Sequence, residues 1–173
     1  NVLDKEAEGL MILTNNPTFR AVLTHPLCSE LRTFLVQTEG IPGDGAIEAW
    51  HEGVCLIEGG RAGSVEAEVI PAPKLPSRSV PIRERKNIPT AWMELRALSG
   101  NSRAIRKVSA SLGNPVLRLL LWSFGPVALT GMVPGQCRDF RYEEMRWVES
   151  TLEKAAEPAE KRRLVSFGSI RKG

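Results

Sequence analysis

Histidine and cysteine are scarce in this chain, and their scarcity narrows its chemistry. Two histidines, His25 and His51, and three widely spaced cysteines, Cys28, Cys55 and Cys137, include no C-x-x-C pair. A structural zinc site is therefore not expected, nor is metal-based catalysis. An odd number of cysteines is no disulfide framework and reads as reduced thiols in an intracellular protein. Long apolar runs are also lacking. The longest, Val116–Phe124, is of strand length and carries Arg118, whereas a membrane span needs about 20 apolar residues. No signal-peptide pattern opens the sequence. The acidic cluster Asp4, Glu6 and Glu8 argues against a transit peptide in this stretch. The sequence starts at Asn1 without a methionine, which raises the expectation of a missing upstream part.

What is present is the composition of a folded domain. The 173 residues are 42% hydrophobic and 25% charged, which excludes a disordered or fibrous chain and allows a sizeable core. The net charge of +3 hides a pronounced division. Residues 1–73 hold 4 basic and 11 acidic residues, whereas residues 74–108 hold 9 basic and 2 acidic. Residues 109–173 hold 10 basic and 7 acidic. A basic middle third within one domain is the footprint expected of a surface for a polyanion.

Along the chain, Leu10–Thr14 reads as a buried strand and Asn16-Pro17 as a helix start, with Phe19, Val22 and Leu23 on its apolar face. Thr33–Thr38 reads as a strand, and Gly43-Asp44 opens a helix with Ile47 and Trp50 that Gly53 stops. Val54–Ile57 and Val65–Ile70 are strands about a Gly59-Gly60 turn. Pro71–Pro89 interleaves five prolines with Lys74, Arg78, Arg83, Arg85 and Lys86, and reads as a long basic loop. Ala91–Leu98 alternates as a half-buried strand should, with Met93, Leu95 and Ala97 inward. A helix over Arg103–Leu112 turns Ile105, Val108 and Leu112 inward and ends at Gly113. Val116–Phe124 and Val127–Leu129 are strands divided by Gly125-Pro126. Arg141–Lys154 is an amphipathic helix with Met145, Val148 and Leu152 spaced as one face, and the chain beyond Glu157 is a basic tail. The fold class expected is α+β, with a mainly antiparallel or mixed sheet flanked by helices.

Two segments combine into a more specific pattern. Asn1-Val2-Leu3-Asp4-Lys5-Glu6-Ala7-Glu8-Gly9-Leu10-Met11-Ile12-Leu13-Thr14-Asn15-Asn16 resembles the catalytic motif of pseudouridine synthases of the RsuA/RluE type, which act on ribosomal RNA. Pro81-Ile82-Arg83-Glu84-Arg85-Lys86-Asn87-Ile88-Pro89-Thr90-Ala91-Trp92 resembles the basic loop of that family's large-subunit member. Gly100-Asn101-Ser102-Arg103-Ala104-Ile105-Arg106-Lys107-Val108 and then Gly113–Leu119 follow in the family's order, and Leu31-Arg32-Thr33-Phe34 falls on its aromatic position. The resemblance covers residues 1–140, with 141–156 as a C-terminal helix and 157–173 as a tail outside it. It implies a pseudouridine synthase catalytic domain lacking its N-terminal part.

The resemblance further implies an enzyme that isomerises uridine with no cofactor and no metal. Asp4 would be the catalytic carboxylate engaging C1′ of a flipped nucleoside. Arg106 would be its charge partner, since a desolvated carboxylate needs a cation and the guanidinium offers a bidentate one. Ile105 would pack against the base and Phe34 would stack on it. Arg32, Arg83, Arg85, Lys86, Arg103 and Lys107 would meet RNA phosphates. The partners implied are ribosomal RNA and the pre-ribosomal large subunit, with no membrane. Three departures stand out: Val2 replaces the family's arginine, Phe34 its tyrosine, and Asn101, Ser102 and Ala104 a basic residue, Asn and Gln. They keep an alternative open, a catalytically silent homologue that binds ribosomal RNA as an assembly or scaffold factor. The setting implied is a ribosome in the bacterial cytoplasm, mitochondrion or plastid, with divergence favouring an organelle.

Overall fold

The structure, a computed structural model, describes residues 8–25, 28–53, 65–78, 81–82, 85, 87–98 and 102–156. Val54–Ile57, the Gly59-Gly60 turn and the basic tail lie outside the described residues. Contacts divide the chain into two units: residues 1–12 with 26–138, and residues 13–25 with 139–173.

The first unit is built on a mixed six-stranded sheet. Its strands are β1 (Glu8–Gly9), β2 (Arg32–Glu39), β3 (Glu66–Ile70), β4 (Thr90–Ala97), β5 (Val116–Phe124) and β6 (Val127–Ala128). They lie in the order β1-β5-β2-β4-β3, with β6 folded back on β5. β1 runs parallel to β5, and the remaining pairs are antiparallel. The alternation read in residues 91–98 sets the inward face: Met93 and Leu95 stand opposite Val36 and Phe34 of β2. With Leu119 they join Trp50 of helix α2 (Asp44–His51) and Ile105 of helix α3 (Ser102–Ser111) in one buried cluster. Both helices therefore cover the same face of the sheet, and burial of these side chains is what holds them there.

The end of α3 shows how local residues fix the path into β5. Gly113 takes a φ of +82°, and the Asn114 N–H donates to Ser109 O at 2.9 Å while Gly113 N–H donates to Ala110 O at 3.1 Å. These two bonds form a Schellman cap, which needs a left-handed residue that glycine supplies without strain. The buried Ser109 hydroxyl also donates to the Asn114 carbonyl.

The second unit pairs α1 (Pro17–Thr24) with α4 (Tyr142–Ala156). Phe19, 1% exposed, meets Trp147 edge-on, ring centroids 5.4 Å apart at 77°. Asn16 caps α1, its Oδ1 accepting from the Phe19 N–H at 3.0 Å, with Pro17 at the first helical position. Asn16→Ala is expected to cost about 1 kcal/mol, lowering the melting temperature by about 3 °C in a thermal scan. An unchanged melting point would show that the cap contributes nothing.

Two sequence expectations are corrected. Leu10–Thr14 is not a strand: the ladder ends at Gly9, the Leu10 N–H donates to Leu121 O at 2.8 Å, and the chain then leaves the sheet with Met11 and Leu13 exposed. Gly9, at φ +111°, turns it away. On α4, Met145 is exposed, and the buried positions are Glu144 and Thr151. Val148 and Leu152 of the expected face are half-buried, and Glu144 folds back to accept the Arg141 N–H at 2.7 Å, the acidic half of a capping box.

Candidate active site and RNA-facing surface

Of the residues assigned to the site, Asp4, Arg83 and Lys86 lie outside the described residues. The others fall into groups. Phe34 and Ile105 are brought together in the core cluster at 5% and 1% exposure, the first on β2 and the second on α3. Arg106 follows Ile105 on α3, is half-buried, and reaches toward β5, where its Nη1 donates to the Val116 carbonyl at 3.4 Å. Arg103 and Lys107, one helical turn apart on the same helix, are exposed. One helix thus offers an apolar residue to the core, a cation to the sheet and two cations to solvent.

Arg32 and Arg85 are engaged within the molecule. The Arg32 guanidinium lies 5.0 Å from the centroid of the Phe124 ring, a cation–π distance. Arg85 Nε is 3.2 Å from Glu39 Oε1, with about half of the Arg85 side chain exposed. Among the described residues, no group of three or more His, Cys, Asp or Glu is placed to hold a metal ion. No helix among them is long and apolar enough to cross a membrane. Cys28 is buried and Cys137 exposed, both as free thiols.

The opposite face of the sheet carries a feature that the sequence reading missed. Arg118 of β5 stands opposite Gln37 of β2, which in turn stands opposite Trp92 of β4. Arg118 grips Glu8 of β1 through Nε–Oε1 at 3.0 Å and Nη2–Oε2 at 2.9 Å. Arg78, from the basic loop, reaches the same carboxylate, with Nε 3.0 Å from Oε1. Over this cluster Gln37, Ser77, Arg78, Pro81, Ile82 and Arg118 line an open groove of about 400 Å³. A charged residue inside the apolar run Val116–Phe124 was the available signal, because an arginine in a central strand calls for a partner.

The mixed sheet and its two covering helices have a counterpart among solved structures. A crystal structure of a pseudouridylate synthase superposes with a TM-score of 0.57 at 19% identity, over 75% of this chain and 50% of that one. No family model matches the chain. Ribosomal large subunit pseudouridine synthase E of Xanthomonas campestris is 36% identical over 136 residues, 79% of this chain and 73% of the relative. The protein of the same name in Vibrio parahaemolyticus is 37% identical over 139 residues, 80% of this chain and 58% of the relative. Ribosomal large subunit pseudouridine synthase B of Bacillus subtilis is 24% identical over 144 residues, 83% of this chain and 54% of that protein. The chain belongs to the RsuA/RluE-type pseudouridine synthase family and is most similar to its RluE members. It spans somewhat more than half the length of the Vibrio relatives it matches.

Proposed function

We propose that this protein isomerises uridine to pseudouridine in large-subunit ribosomal RNA. The observation that carries this reading is 36% identity extending over 73% of a relative named for that activity, with the motif around Asp4 and the Ile105-Arg106 pair in the order the family has them. The chemistry is internally balanced. The N1–C1′ glycosidic bond breaks, the uracil turns, C5–C1′ forms, and a proton lost from C5 is matched by one gained at N1. No oxidant or group donor is consumed.

In this reading Asp4 is the carboxylate that engages C1′, and Arg106 is the cation that keeps it ionised and aimed. Arg106 is suited to the task, because it is half-buried and tethered to the Val116 carbonyl at 3.4 Å. The resemblance gives Ile105 and Phe34 the packing and stacking roles, but at 1% and 5% exposure both sit in the core and would meet an extruded base only with the little surface they leave open. Flipping costs a few kcal/mol of unstacking, which contacts in the site must offset. Arg103 and Lys107, exposed on α3, together with Arg32, Arg83, Arg85 and Lys86, supply cations to the RNA backbone. Arg85 reaches phosphate with the half of its side chain that Glu39 leaves exposed. The relatives compared are bacterial proteins, three of them named for the large ribosomal subunit, which supports action at a ribosome.

The test is direct. Unmodified large-subunit ribosomal RNA is incubated with the protein and pseudouridine is mapped chemically at nucleotide level. A single new site, formed with no added cofactor, is expected. Tight RNA binding with no new pseudouridine would overturn the enzymatic reading in favour of a silent scaffold.

A further inference from the structure

Glu8 is the described residue nearest in sequence to Asp4, four positions on. It opens β1, a strand of two residues, and backbone pairing alone holds so short a strand weakly. Its side chain supplies the rest. Arg118 binds it bidentately from β5, and Arg78 binds it from the basic loop at 3.0 Å. Arg118 Nη2 also donates to the Pro76 carbonyl at 2.9 Å, two residues before Arg78. One guanidinium thus fixes both the strand that follows Asp4 and the loop rich in cations. The side chains of Arg118, Arg78 and Glu8 are 12%, 22% and 24% exposed, enough shelter for charge-assisted bonds to outweigh solvent competition. Two guanidinium groups about one carboxylate leave a net positive wall on the groove above them.

We propose that Glu8 is a positioning residue that, through Arg78 and Arg118, sets the placement of the RNA-gripping loop relative to the segment bearing Asp4. This rests on the proposed function for its consequence in turnover, but not for the mechanical link. Four residues of chain span at most about 14 Å, so a shift of Glu8 is transmitted over a short tether. A reacting group displaced by about 1 Å loses up to about a hundredfold in rate. The link is reciprocal. A phosphate in the groove that draws Arg78 off Glu8 removes one of the loop's two ties to the sheet, while Arg118 continues to hold the strand and the Pro76 carbonyl.

Glu8→Gln keeps the size of the side chain and removes its charge and one acceptor oxygen. Under single-turnover conditions on large-subunit ribosomal RNA, the rate at saturation is expected to fall about tenfold, with RNA affinity within about threefold of wild type. Arg78→Ala is expected to give a similar loss of rate, and the double variant no more than the larger single loss. A merely structural ion pair would leave the saturated rate unchanged well below the melting temperature, and that result overturns the proposal. Hydrogen exchange supplies a readout that needs no activity: amides in residues 71–78 are expected to exchange about tenfold faster in either variant. Unchanged exchange there would also overturn the link, even in an active enzyme. If the wild type forms no pseudouridine, the proposed function fails and the exchange measurement still decides the link. Should Glu8→Gln not fold, Arg78→Ala, which keeps the bidentate Glu8–Arg118 pair, carries both measurements.

Discussion

Replacing Asp4 by Asn is expected to stop pseudouridine formation while leaving RNA binding almost intact. The amide has the shape of the carboxylate but neither its charge nor an oxygen able to attack or stabilise C1′. Removing a group that acts directly on the reacting atoms lowers the rate by about 10³-fold or more. Binding responds in the other direction. One negative charge fewer beside a polyanion weakens nothing, so the dissociation constant should stay within about threefold and keep its salt slope. Two measurements check this: pseudouridine formed per enzyme in a single turnover, and filter binding over a range of salt concentrations. A variant that retains the wild-type rate would remove Asp4 from the chemistry. Arg106 sharpens the expectation. If Arg106 is the charge partner proposed for Asp4, part of the effect is electrostatic and Asp4→Glu should recover more rate than Asp4→Ala.

The folding pattern was legible where local chemistry decides it. Gly113 after Val108 and Leu112 announced a helix end, and it is one, by a left-handed cap. Alternation in Met93, Leu95 and Ala97 announced an inward face, and those residues stand in the core. Leu10–Thr14 departs from the expected strand because an apolar run does not by itself mean burial, and Met11 and Leu13 are exposed. The strand is the adjacent Glu8–Gly9, and two residues carry no period to read. Met145 departs from its expected place for a related reason. A buried glutamate, held by its bond to the Arg141 N–H, does not register in a pattern of apolar spacing.

The charge division calls for a second reading as well. An acidic first third and a basic middle third point to a surface for a polyanion. Part of that opposition is internal: Glu8 meets Arg78, and Glu39 meets Arg85. The two stretches of opposite sign hold each other in the fold, and Arg103 and Lys107 remain exposed on α3. Composition could not show this, because Glu8 and Arg118 are 110 residues apart in sequence. Only the register that sets β1 beside β5 joins them. The proposed Asp4–Arg106 pairing rests on family motifs alone, whereas the Glu8 cluster follows from the topology.

That same register makes Gly9→Ala the most damaging small substitution expected in the fold. Gly9 pairs with Leu121 in the parallel ladder and holds a φ of +111°, a region that L-residues occupy only under strain. A Cβ there would lie 2.3 Å from the Leu121 carbonyl oxygen and 2.7 Å from its amide nitrogen. These are backbone atoms of a central strand, so relief requires β1 to move away rather than a side chain to swing aside. Strain and lost pairing together are expected to cost about 4 kcal/mol, lowering the melting temperature by about 10 °C. Gly45, early in α2, provides the contrast. Nothing lies within 4 Å of a Cβ there, and alanine in a helix is favoured over glycine by about 1 kcal/mol. Gly45→Ala should therefore melt at or slightly above the wild-type temperature in the same calorimetric scan. Equal melting of the two variants would show that β1 is not docked against β5 as described. If the expected difference appears, Gly9→Ala should also lose activity at temperatures where it is still folded, because moving Gly9 moves Glu8 and the segment that leads to Asp4.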